Sequence, residues 1–239
     1  DSFYTGVTEG NIGSARIIKM LNVIDDSLVV EQKGIYSLEN YLTTRRLMYW
    51  QVYLHRTCVA YEKVLVNMLN RAKYLVRQGH DVFATPALHY FLENDVDAEW
   101  FNTHPEALKN YENLDDSDIW SAMKTWKYDS DKILSTLATD MLDRKIFKVE
   151  VHEEPIPQER LDELQQMIAE KMAIPLEDAH YMMSLNTIQK DMYNVDDDSI
   201  AILYKNGEIR DISEASELLN VQLLSKKIRK YYLCYQRFE

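Results

Sequence analysis

From Ile35 to Gly79 the chain runs without a glycine or proline until Gly79 itself, and its apolar residues fall at helical spacing. Leu47, Leu54, Cys58, Tyr61, Leu65, Met68, Ala72 and Leu75 recur every three, four or seven positions, and Met48, Val52, Val59 and Val66 widen the stripe. The pattern predicts one continuous helix, roughly 60 Å long at a rise of about 1.5 Å per residue. Ser37 is a fair start for it and Gly79 a good stop.

The flanking segments are shorter. Ser14–Leu21 reads as an amphipathic helix, and Ser27–Gln32 as a strand entered through an Asp25-Asp26 turn. Pro86 opens a helix to about Glu93. Asp115 to Asp118 and Ser130-Asp131 supply N-caps for two further helices. After Ile146 the pattern changes. A strand at Phe147–His152 and a helix beyond Pro157 are followed by a strand at Ala179–Gln189. A hairpin then runs through Asn206-Gly207, with the type I′ signal. Next comes a helix capped by Ser213, and a last strand runs from Arg229 to Arg237. With the hairpin counted as one β unit, the order β-α-β-β-α-β resembles a ferredoxin-like sandwich. The fold class expected is mainly α with a smaller α+β part: a helical region at 1–145 around the long helix, then an α+β module at 146–239.

Composition agrees with helix over turn-rich β architecture, with 6 Gly and 5 Pro in 239 residues. The net charge of −12 excludes general binding to nucleic acid or anionic membrane. Two isolated cysteines, Cys58 and Cys234, make no disulfide framework and suit a reducing cytoplasm. No apolar run approaches the ~18 residues of a membrane span. The chain opens on Asp1 rather than Met, as a piece of a longer polypeptide would.

The most interesting polar set lies on the long helix. Arg45, Tyr49 and Tyr53 are spaced by four, and Arg46 and Arg56 flank them. Between Tyr36 and Gly79 there are seven Lys or Arg against two Glu, a local +5 within an acidic chain. Guanidiniums and phenols aligned on a rigid element suit a phosphate and a flat or sugar-like group. The same spacing also describes solvated arginines and boundary tyrosines. Elsewhere the signals are bland. The adjacent His80-Asp81 pair follows a helix stop in a polar linker. Asp196-Asp197-Asp198 lacks the alternation of a calcium loop, and Asp115-Asp116 is explained as a cap. No phosphate loop or nucleophile elbow is present. Read from within, the chain holds no complete active site.

At these residues the chain resembles the HD-superfamily phosphohydrolases, in the branch similar to deoxynucleoside triphosphate triphosphohydrolases. Three stretches carry the resemblance. Asp1-Ser2-Phe3-Tyr4 with Gly6 looks like the end of the family's D-Y-x-x-R-D segment. Thr43 to Arg56 looks like its T-R-x-x-x-x-x-x-x-Y-x-H-[KR] helix, and Leu114 to Trp120 like its D-D-x-x-[IY] helix start. The resemblance implies that Asp1 contacts a sugar hydroxyl, Arg45 a triphosphate, and Tyr53 the sugar and base. Tyr49 occupies a position where relatives often have His, and Leu54 one where nucleotide-reading relatives can have a polar residue. It also implies a divalent metal ion whose His, His-Asp and Asp ligands lie upstream of Asp1, outside this chain. The partners implied are a nucleotide or phosphate-ester substrate, further copies of the chain in a dimer or tetramer, and an N-terminal fragment of the same protein. Two other readings stay open: a non-catalytic nucleotide-binding or oligomerisation module, and a helical interaction scaffold with no nucleotide affinity.

Overall fold

The computed structural model describes residues 1–190, 199–216 and 228–238. The described chain is mainly helical with two small sheets. It divides into two compact units, residues 1–58 with 187–230, and residues 59–186 with 231–239. This partition differs from the expected 1–145 and 146–239 division.

In the first unit, α1 (Ser2–Thr5) and a 3-10 turn lead to α2 (Ser14–Lys19), then β1 (Leu21–Ile24), β2 (Ser27–Glu31) and α3 (Ile35–Met48). The second residue group adds β5 (Ala201–Leu203), β6 (Ile209–Asp211) and α11 (Ile212–Ala215). β1 and β2 form a two-residue hairpin. Asp25 and Asp26 both take positive φ, 49° and 61°, the type I′ geometry that matches strand twist. β2 then pairs in parallel with β5 through Val30↔Ile202, giving the order β1-β2-β5-β6. Val30, Ile35, Leu38, Leu42, Ile202 and Ile212 make the core between this sheet and α3.

That pairing corrects the expected α+β module. The β5–β6 hairpin joins the β2 edge rather than the strands at Lys148–His152 and Met183–Lys190, so the strands after Ile146 do not share one sheet. Its turn is also not type I′. Gly207 alone takes positive φ, 84°, and the Gly207 amide bonds Tyr204 O at 3.0 Å. This is a type I turn closed by a glycine bulge. α11 is capped by Asp211, whose carboxylate accepts from the Ser213 amide at 2.8 Å, and not by Ser213. The helix expected beyond it extends into 217–227, and the Asp196–Asp198 run is at 191–198. Both stretches lie outside the described residues.

The long helix is likewise not continuous. α3 starts at Ile35 and ends at Met48, a π-helical turn spans Tyr49–Tyr53, and α4 (Arg56–Arg77) begins after Leu54 and His55. The π-turn is marked by the Leu54 amide reaching Tyr49 O at 2.7 Å, five residues back. The extra residue breaks the phase of the apolar stripe. On α4 the buried residues are Val59, Ala60, Val64, Asn67, Met68, Arg71, Ala72 and Leu75, while Cys58 is exposed. Gly79 stops the helix as expected. It is left-handed at φ 82°, with Gly79 N–H to Val76 O and His80 N–H to Leu75 O at 2.9 and 3.0 Å, the Schellman pattern.

The second unit is built from α4, α5 (Pro86–Glu93), α6 (Ala98–Thr103), α7 (Pro105–Asn113), α8 (Asp116–Trp126), α9 (Lys132–Leu142) and α10 (Gln158–Met172). Asp115 forms a full capping box with Asp118, and Asp131 caps α9 through Leu134 N–H at 2.8 Å. β3 (Lys148–His152) pairs antiparallel with β7 (Ile228–Tyr235), from Lys148↔Tyr235 to His152↔Tyr231, and β4 (Met183–Lys190) lies on the other edge of β7. Trp126, Leu134, Leu137, Leu164, Ile168, Met182 and Leu233 are buried here. Two polar groups on the apolar face of α4 are satisfied. Asn67 Nδ2 donates to Tyr181 O and Met183 O at 2.8 and 3.1 Å. Arg71 is bidentate to Asp131 at 3.1 and 2.7 Å and also bonds Asp178 at 2.8 Å.

Candidate functional site

The π-turn and the end of α3 form one wall of an open depression of about 430 Å³ in the first unit. Asp1, Arg45, Tyr49 and Tyr53 all line it, with Ser2, Gly10, Ile12, Tyr41, Thr44 and Met48. Four residues that the sequence places at two distant points of the chain are thus brought together. Arg46, Arg56 and Leu54 are not in the lining.

Tyr53 donates its hydroxyl to Asp1 Oδ2, so the carboxylate and the phenol are fixed as a pair. The Tyr49 and Tyr53 rings meet edge to face, 5.4 Å apart at 63°. The Arg45 guanidinium lies 6.0 Å from the Tyr49 ring centroid, at the outer limit of a cation–π contact. Gly10 permits the close approach of α1. A Cβ there would stand 2.5 Å from Ser2 Cβ and 3.0 Å from Met48 Sδ, pushing at the residue next to Asp1. The depression therefore offers one guanidinium, one carboxylate, and aromatic surface with hydroxyl edges. That set can hold an anionic group at one end and a hydroxyl-bearing ring at the other.

The lining supplies a single carboxylate, Asp1, as its acidic group, and among the described residues no three His, Cys, Asp or Glu side chains converge to hold a metal ion. The described lining residues therefore do not make a metal site by themselves. His80 and Asp81 are exposed beyond the α4 stop, and Asp115 serves as a helix cap.

A second cavity, in the second unit, was not singled out from the sequence. About 1180 Å³ is lined by Asp140, Arg144, Lys145, Lys148, Lys171, Tyr235, Gln236 and Arg237, among others. Its cations come from three separate segments, so no local motif announces them. Arg144 takes the left-handed conformation at the end of α9, φ 61°, where glycine is preferred. Asp140 is buried and accepts from Gln236 at 2.8 Å. Burial pushes its carboxyl above the usual range, against that hydrogen bond and the nearby Lys145 charge.

Burial also works against the charged form of Asp131. Its hydrogen bonds from Arg71 and Leu134 N–H, with the Arg71 charge, outweigh that cost and hold it below the usual range. Arg71 is 6% exposed and lies 5.1 Å from both the Tyr74 and Tyr181 ring centroids. This cluster ties α4 to the α9 cap and to the turn before β4.

Among the described residues, no helix is long and apolar enough to cross a membrane. Residues 12–90 match the HD-associated region family, a span that includes Arg45, Tyr49 and Tyr53. The chain is 27% identical over 243 residues to the uncharacterized protein YwfO of Bacillus subtilis (strain 168), covering 98% of this chain and 52% of that protein. Its fold matches the crystal structure of a phosphohydrolase from Bacteroides thetaiotaomicron VPI-5482 with a TM-score of 0.91 and 59% identity, over 99% of this chain and 59% of that one. A hypothetical protein from Aquifex aeolicus, 23% identical, shares the fold at a TM-score of 0.62, over 99% of this chain and 52% of that one. The chain thus spans between half and three fifths of the length of these relatives. Residues 12–90 thus resemble a region associated with HD domains, and the whole chain resembles part of a phosphohydrolase.

Proposed function

We propose that the chain is part of an HD-type phosphohydrolase, and that its substrates are phosphate esters of the (deoxy)nucleoside triphosphate class. The observation that carries this reading is the convergence of Arg45, Asp1, Tyr49 and Tyr53 in one open depression. The high identity to a phosphohydrolase supports the reaction class. Arg45 would pair its planar fork with phosphate oxygens and balance charge that grows on them during cleavage. Asp1, already accepting from Tyr53, has a further oxygen with which to accept from a sugar hydroxyl. Tyr49 and Tyr53 would then flank the sugar and base. A divalent metal, with ligands outside this chain, would supply Lewis acidity toward the phosphoryl group.

The test is hydrolysis of a panel of nucleoside triphosphates by the longer polypeptide that contains this chain. Arg45→Ala should lower turnover at least about tenfold, with an unchanged far-UV circular dichroism spectrum. An unchanged rate would remove Arg45 from the site. Triphosphate binding by the wild type without any turnover would favour a non-catalytic module instead.

A further inference from the structure

The π-turn that presents Tyr49 and Tyr53 to the depression has a second face. Trp50, half-buried, lies under the ammonium of Lys230, 4.6 Å from its ring centroid. Lys230 belongs to β7, nearly two hundred residues later in the chain. Next to it, Arg229 is tied to β4 by bonds from its Nε and its Nη2 to Gln189 Oε1 at 3.3 and 2.9 Å. The cation is therefore delivered by an anchored strand and not by a free side chain.

A π-turn is wider than an α-turn, carries poorer hydrogen bonding, and persists where surrounding packing holds it. Within it each residue advances the helix by less than the ~100° of an α-helix. Relaxation to an α-helical register would rotate Tyr53 relative to Tyr49 by on the order of 70°. That rotation would take the Tyr53 hydroxyl away from Asp1, its present acceptor. Trp50 is outside the lining of the depression, and a change of register would carry its ring away from Lys230, so the contact between them favours the present register.

We infer that Trp50 and Lys230 form a cation–π clamp that holds the π-helical register of Tyr49–Tyr53, making both positioning residues for the depression. The inference rests on the proposed phosphohydrolase reading for its kinetic consequence but not for its structural one. A clamp of this kind uses the charge of residue 230 and the π-face of residue 50, and it reaches the depression through the tyrosines of the π-turn.

Two readouts separate the possibilities. Hydrogen exchange over 49–54 reports the register through the Leu54 amide, which bonds Tyr49 O. KM and kcat for nucleoside triphosphate hydrolysis by the longer polypeptide report the pocket. Lys230→Met should speed exchange over 49–54 about fivefold and raise KM by a similar factor, with kcat changed less than twofold. Lys230→Arg, which keeps the cation, should restore both, and Trp50→Phe should fall between. Unchanged exchange in Lys230→Met, or failure of Lys230→Arg to rescue it, overturns the clamp. Faster exchange without a change in KM overturns the positioning role. If the wild type hydrolyses no triphosphate, the functional reading falls, and exchange alone then decides the clamp.

Discussion

Replacing Arg71 by methionine tests how the second unit is held together. Methionine keeps an apolar stem between Tyr74 and Tyr181 but removes three charge-assisted hydrogen bonds to Asp131 and Asp178. Removing one partner of a buried ion pair costs about 3–5 kcal/mol, mostly because the other charge stays buried and unpaired. Here the side chains of Asp131 and Asp178 retain 17% and 22% exposure, so some of that charge can be rehydrated. The expected loss is therefore near the low end, about 3 kcal/mol. Urea unfolding followed by circular dichroism reads it as a lower midpoint. The effect carries a pH signature. In the wild type the Asp131 carboxyl is held below its usual value, so its contribution is present above ~4 and is lost as pH falls through the depressed value. In Arg71→Met burial is opposed by the backbone amides of Ile133 and Leu134 alone, so the carboxyl moves up from its wild-type value. The variant should therefore lose less stability than the wild type as pH falls toward ~4. The gap between the two proteins should narrow in acid. Neutralising both acids in the same background, as Arg71→Met/Asp131→Asn/Asp178→Asn, should recover at least about half the loss. A loss below about 1 kcal/mol, or a gap constant with pH, would refute a buried network and leave a solvated surface pair.

Asn67→Leu should cost about 2 kcal/mol in the same assay, because the Tyr181 and Met183 carbonyls lose their shared donor. Gly79→Ala should cost about 1 kcal/mol by thermal melting, a backbone cost alone, since nothing lies within 4 Å of the added Cβ. Arg144→Gly should stabilise by about 0.5–1 kcal/mol for the same reason reversed. Asp140→Asn should be neutral or stabilising at pH 7 and should flatten the profile. The wild-type carboxyl is raised by burial, so the wild type gains stability as pH falls from 7 through that raised value, and the amide cannot.

The local grammar of the chain was readable. Pro86 opens α5, Asp115 and Asp131 cap α8 and α9, Gly79 closes α4, and the strands near 27, 148, 201 and 209 are where alternation put them. Three things were not readable, for one reason each. The π-turn adds a residue without any glycine or proline to mark it, so the apolar repeat looked unbroken across Tyr49–Tyr53. β1 hid because Leu21, Asn22 and Val23 are all exposed, which erases the alternation of a half-buried strand. The hairpin after Ile200 was read as a partner for its sequence neighbours, whereas its short β5 completes a parallel pair with β2. Nothing local encodes that choice, because it depends on Ile202 and Ile212 filling the core beside Leu38 and Leu42. Of the depression, Arg45, Tyr49 and Tyr53 stood out by spacing. Asp1 was tied to them only through the resemblance, and Lys230 carried no signal because its partner Trp50 is so far away in sequence.

The β2–β5 ladder has a bearing on how the protein is made. A ribosome releases β2 long before β5, with the whole of residues 59–186 emerging between them. The first unit must keep Val30, Ile35, Leu38 and Leu42 waiting for Ile202 and Ile212. The intervening unit can compact in that interval, bringing the two halves of its neighbour within reach and shortening the loop that the ladder must close. Synthesis therefore favours residues 59–186 collapsing first, with the first unit assembling only once β5 and β6 have left the exit tunnel. A chain stopped before Ile200 would carry Arg45 and Tyr53 on a helix whose apolar side has no lid, a substrate for chaperones rather than for chemistry.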